Sequence, residues 1–134
     1  MEDTKNLPTE IQQVDMPVTS MFSDGVYIRT IFMPKGTIVI GKKHKTRHFN
    51  IVLTGNAEVW VNGEHKHIQA PYIFESLENV RKVLYINEDM YWSTVHATEL
   101  KDEDEIEKMI IEEETITSIE DINNKLKLYL EEIK

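Results

Sequence analysis

A chain of 134 residues is enough for one domain. It carries 24 acidic and 15 basic residues, a formal net charge of −9, and 40% of its residues are hydrophobic, a balance that excludes wholesale disorder. Zero cysteines exclude a disulfide framework, a thiolate metal site and a cysteine nucleophile.

No run of about 18 apolar residues is present, so no membrane span is expected. The opening segment MEDTKNLPTE lacks the basic-then-apolar order of an export signal, and the cytoplasm is the expected compartment. Residues 99–134 hold 13 acidic and 5 basic side chains, net −8, which leaves −1 for residues 1–98. The acidity therefore belongs to the tail. The densest basic cluster, Lys42-Lys43-His44-Lys45-Thr46-Arg47, suits local attraction of an anionic small molecule. Duplex nucleic acid is not an expected partner, because phosphate-driven binding needs a broader basic face.

Residues 1–24 read as a polar arm with Pro8 and Pro17 and no clear period. From residue 25 to 98 the pattern is short strands broken by turns: Val26–Met33, Thr37–Gly41, Phe49–Leu53, Ala57–Val61, Glu64–Ile68, Tyr72–Glu75, Arg81–Ile86 and Met90–His96. Each segment has four to eight residues rich in Val, Ile, Tyr, Phe, Trp or Thr, which suit a pleated, half-buried surface. Asn62-Gly63 is the strongest hairpin signal, since both residues tolerate positive φ. Eight such strands predict a mainly β domain, a small barrel or jelly roll. Residues 99–134 then change to a helical period. Asp102–Glu105 place negative charge at a helix start with Ile106, Met109 and Ile110 on one face. A second helix is predicted from Ser118, with Ile119, Ile122, Leu126, Tyr129 and Ile133 in a two-heptad seam.

Five histidines punctuate the strands. His44 and His48 flank the sharp Lys45-Thr46-Arg47 connection, and Asn50 shares a face with His48 because strand side chains alternate. His96 closes the last strand on the face of Trp92 and Thr94. His65 and His67, just after the Asn62-Gly63 turn, are expected to be exposed strand residues.

The stretch GTIVIGKKHKTRHFNIVLTGNAEVWVNG resembles the first motif of the cupins, and Ala70-Pro71 with the strand after it resembles the start of the second. The likeness covers residues 25–98. The metal signature of metal-binding cupins is altered. Counting from Gly55 and Pro71, the expected ligand positions fall on Lys42, His44, His48 and Ser76. HKTRHFN together with EDMYWSTVHATE is also similar to a group of small cupins of bacteriophage and prophage genomes. These resemblances imply a cupin-type β-barrel (jelly roll) followed by C-terminal α-helices, with a polar pocket, and small cupins often pair as homodimers.

Such a pocket allows three chemistries. A divalent metal (Zn, Fe, Ni or Cu) could be held by His44, His48 and His96. A metal-free pocket could bind an anion through Lys42, Arg81 and the histidines, with Asn50, Tyr85, Trp92 and Thr94 as further ligand-binding candidates. By analogy with metal-free sugar-nucleotide epimerases and isomerases, His48 or His44 would then be the catalytic base. Tyr27 and Arg29 are further pocket candidates, their face depending on register. The third is binding without turnover, in which a phage protein sequesters a host metabolite or nucleotide signal.

Overall fold

The computed structural model describes residues 14–41 and 43–110. The alternating segments form nine strands: β1 (Val18–Ser23), β2 (Val26–Met33), β3 (Ile38–Ile40), β4 (His48–Val52), β5 (Asn56–Val61), β6 (Glu64–Gln69), β7 (Tyr72–Ser76), β8 (Lys82–Ile86) and β9 (Met90–Ala97). One helix, α1 (Glu103–Ile110), follows. The strands make two antiparallel sheets, ordered β1-β2-β9-β4-β7 and β3-β8-β5-β6. Among the described residues the sheets pair within themselves, so the expected barrel is a two-sheet jelly roll. All eight predicted strands are present.

Residues 18–23 correct the boundary drawn at 24. They are an edge strand, paired with β2 from Val18↔Ile31 to Ser23↔Val26. Their burial pattern is exposed at nearly every position, so no alternation betrays them; pairing with β2 supplies the missing stability. The predicted helix from Ser118 lies outside the described residues.

The core sits between the sheets. Met33, Val52, Ala57, Val59, Ile68, Leu84, Ile86, Met90 and Trp92 form one buried cluster, which holds the sheets together by removing apolar surface from water. Turn chemistry fixes the connections. The β5–β6 hairpin turns at Asn62 (φ 50) and Gly63 (φ 76), the pair whose left-handed backbone matches strand twist. Gly55 (φ +79) leaves no room for a side chain, because a Cβ there would collide with the Asp89 carbonyl and lie 2.7 Å from Met90.

Helix α1 starts where Asp102 accepts the Glu105 amide at 3.0 Å, an N-cap reinforced by three acidic residues in the first turn. Its apolar face, Ile106 and Ile110, packs against Tyr27 and Leu100, and the Ile110 carbonyl accepts the Lys45 amide. The helix thereby covers the end of the sandwich where the histidines lie.

Candidate metal centre and cavity

Antiparallel register explains the convergence of residues far apart in sequence. β4 pairs with β9 through Phe49↔Val95 and Asn50↔Thr94, so the next inward step sets His48 beside His96. His96 pairs across β2 with Tyr27, and His48 pairs across β7 with Ser76. His44 arrives from the β3–β4 connection, held by its carbonyl accepting the Asn79 amide at 2.7 Å. The three imidazoles stack, with ring centroids 4.2 Å (His44–His48), 4.7 Å (His48–His96) and 5.4 Å (His44–His96) apart. One ring nitrogen from each lies within 4.8 Å of the other two.

A backbone carbonyl sets the tautomer of His48. His48 Nδ1 donates to the Thr46 carbonyl at 3.2 Å, which leaves Nε2 with its lone pair. His96 Nε2 bonds the Thr94 hydroxyl at 3.2 Å. His44 Nδ1, His48 Nε2 and His96 Nδ1 are all buried without a hydrogen-bond partner. Three orphaned imidazole nitrogens in one place are rare in a folded protein, where buried polar atoms are normally satisfied. The rings are also kept neutral. Burial, and then the charges of His48, His96, Lys82 and Arg29, press His44 down to about 3. Burial, His48 and Arg29 bring His96 to about 4, and His48 falls in the same direction, again mainly through burial. Three neutral rings, with the lone pair of His48 Nε2 left free, fit a divalent cation, and the donor set suits Zn, Fe, Ni or Cu.

His44 and His48 line a cavity of about 470 Å³ that residues of both sheets and α1 also reach, within the range that holds small ligands. Its inner wall is built on Asn50, which is 1% exposed. Asn50 donates to the Ser76 hydroxyl at 2.8 Å and accepts the Trp92 indole N–H at 2.9 Å. Trp92 thus both lines the cavity and belongs to the core. Thr94, Tyr27 and Arg29 also line it.

Two anticipated ligand residues lie elsewhere. Alternation along β8 points Lys82 and Leu84 into the cavity, which leaves Tyr85 on the opposite face; Arg81, just before the strand, is not part of the cavity lining. Tyr85 is directly opposite Glu58 in the register, and the Arg81 guanidinium reaches the Gly41 carbonyl at 3.4 Å. Lys42 lies outside the described residues. The lysine in the cavity is Lys82, for which the sequence pattern gives no signal; it is partly buried, 5.9 Å from the Phe74 ring centroid, and held by burial at about 8.

His65 and His67 are partly exposed as expected, but not idle. They bond the two oxygens of one buried carboxylate, Glu58, at 2.8 and 2.7 Å, and Asn87 donates to it at 2.6 Å. These bonds hold the Glu58 carboxyl down at about 2 against the opposing effect of burial. Among the described residues only His44, His48 and His96 have metal-ligand spacing.

No protein-family model matches the sequence, and no curated protein matches it. Solved structures do. An RmlC-like cupin family protein with a double-stranded β-helix fold from Methanocaldococcus jannaschii is similar at TM-score 0.54 and 15% identity, covering 63% of this chain and 82% of that one. KdgF from Halomonas sp. is similar at TM-score 0.56 and 13% identity, covering 71% of this chain and 90% of that one. The DMSP lyase DddQ from Ruegeria pomeroyi is similar at TM-score 0.56 and 12% identity, covering 65% of this chain and 49% of that one. At these identities the likeness concerns the fold alone. The chain has a cupin jelly-roll fold with three histidines that could hold a metal ion.

Proposed function

We propose that this chain is a small-molecule-binding cupin whose cavity takes an anionic ligand through a divalent metal held by His44, His48 and His96. The observation that carries the reading is the set of three buried, partnerless imidazole nitrogens from three separate segments. A divalent ion bound there would polarise a ligand oxygen or lower the pKa of a bound water. The protein's own contribution is to keep the rings neutral, to fix His48 through Thr46 and His96 through Thr94, and to exclude bulk water under α1.

The same electrostatics weigh against His44 or His48 as the catalytic base of a metal-free isomerase. A base works best with a pKa near the operating pH, and His44 is held at about 3. Sequestration of a host metabolite by a phage protein rests on the sequence resemblance. It would use the same cavity, and recovery of chemically altered ligand would end it. Pairing of two copies is supported by the outer face of the five-stranded sheet, where Phe49, Ile73 and Tyr91 stay exposed, since contiguous apolar patches mark interaction surfaces.

The test is metal content. Protein purified without chelator should carry close to one equivalent of a transition metal by elemental analysis, and the EDTA-treated protein should take up one equivalent of zinc in titration. His48→Ala and His96→Ala, with folding checked by circular dichroism, should lose it. Full uptake by both variants would sink the proposal.

A further inference from the structure

Two cations enter the same cavity. Arg29 on β2 and Lys82 on β8 both line it, from opposite sheets, and both bear on the His44 ring. Among the described residues neither has a carboxylate partner; the recorded contact of Lys82 is with the Phe74 ring. Withdrawing cations from water without pairing them is unfavourable, and an oxyanion held between them would offset that cost. Lysine and arginine make their strongest hydrogen bonds to such groups.

The rest of the lining defines what the anion is attached to. Towards the edge strands β1 and β3 and the core, the wall is Val18, Ile31, Met33, Val39 and Leu84, all apolar side chains without a hydrogen-bond donor. At the rim, α1 contributes Glu103 and Glu107, which are exposed. A second negative charge extending towards the helix would meet the Glu103 carboxylate. An apolar extension towards the sheet edges would bury itself against aliphatic side chains.

From this distribution we infer that the cavity selects an apolar-chain carboxylate, a single anionic head clamped by Arg29 and Lys82 with an aliphatic body along Ile31, Val39 and Leu84. The inference deepens the reading of an anionic ligand given above and shares its cavity. It does not depend on the metal, because neither cation is one of the three histidines. At neutral pH Lys82, at about 8, is still mainly the ammonium form, as the clamp requires. Dicarboxylates and nucleotides are excluded by the acidic rim, and neutral alcohols by the loss of the clamp.

Isothermal titration of the full chain with octanoate, hexanoate, octanol, succinate and AMP tests this, on EDTA-treated and on zinc-loaded protein. Octanoate should bind at one equivalent, at least ten-fold tighter than octanol, succinate or AMP. It should exceed hexanoate by about four-fold per added methylene. Lys82→Met and Arg29→Met keep the volume of the stem and remove the charge. Each should weaken octanoate at least ten-fold and leave octanol unchanged, with thermal melts showing that the variants fold. Octanoate binding that survives in both variants, or succinate or AMP binding as tightly as octanoate, overturns the inference. Failure of zinc uptake with charge-dependent octanoate binding intact would overturn the metal reading and leave the clamp standing; zinc uptake without octanoate binding would do the reverse.

Discussion

Acidifying the metal-free protein probes the histidine cluster directly. In the unfolded chain each imidazole titrates near 6.5, whereas in the fold His44 is held at about 3, His96 at about 4, and His48 below its ordinary value. Above pH 6.5 both states are neutral at these sites and stability is at its full value. Below pH 6.5 the unfolded chain takes up protons that the native rings refuse, so stability falls as pH drops, until the native rings themselves protonate near 4 and 3. Each such proton costs about 1.4 kcal/mol per pH unit, so His44 and His96 set a ceiling of roughly 3 kcal/mol per unit, and His48 adds in the same direction. Halving this for the water that reaches the partly exposed His44 leaves about 1.5 kcal/mol per unit. Between pH 6 and 4.5 the loss is then about 2 kcal/mol, a substantial share of the roughly 5–15 kcal/mol of an ordinary domain. Urea denaturation in EDTA at half-unit steps from pH 7.5 to 4.5 measures it, and the slope counts the protons. A variant carrying glutamine at positions 44, 48 and 96 should lose most of the slope. A midpoint that does not move between pH 7 and 5, or a slope that survives in that variant, would refute the reasoning.

Three further outcomes follow from the same geometry. Asn50→Ala leaves the buried Trp92 N–H and Ser76 hydroxyl without their partner, at about 1–3 kcal/mol each. Denaturation should show a loss of at least 2 kcal/mol, and a double-mutant cycle with Trp92→Phe should show coupling. Glu58→Gln should destabilise the protein at pH 7, because a carboxyl held at about 2 contributes stability above its unfolded value near 4.5 that is lost as pH falls through 2. The gap between variant and parent should close in melts taken at pH 2–3, and a gap independent of pH would count against the two-histidine clamp. Arg47→Ala removes an ion pair of 2.7 Å whose side chains are 56% and 37% exposed. Its effect should stay within about 1 kcal/mol; a larger loss by urea melt would show a structural role that the exposure does not suggest.

Much of this protein was decided by the sequence alone. Alternating β-branched and aromatic residues between turn residues were enough to predict eight strands, because a half-buried sheet face imposes a period of two. Asn62-Gly63 fixed one hairpin, since few residue pairs adopt its backbone. The His44–His48 pair and Asn50 could be grouped because they are neighbours on one strand and its entering loop. Other features needed long-range pairing. β1 has no burial pattern of its own and exists because β2 offers it an edge. His96 reaches the other two rings only through the β4–β9 register. The choice between Arg81 and Lys82 as the cavity cation turns on a single residue of register in β8, which its pairing with β3 and β5 fixes; a shift of one would exchange the two faces. Local chemistry sets which residues form strands, but which face each strand turns inward is settled by its neighbours, and in this protein that choice made the site.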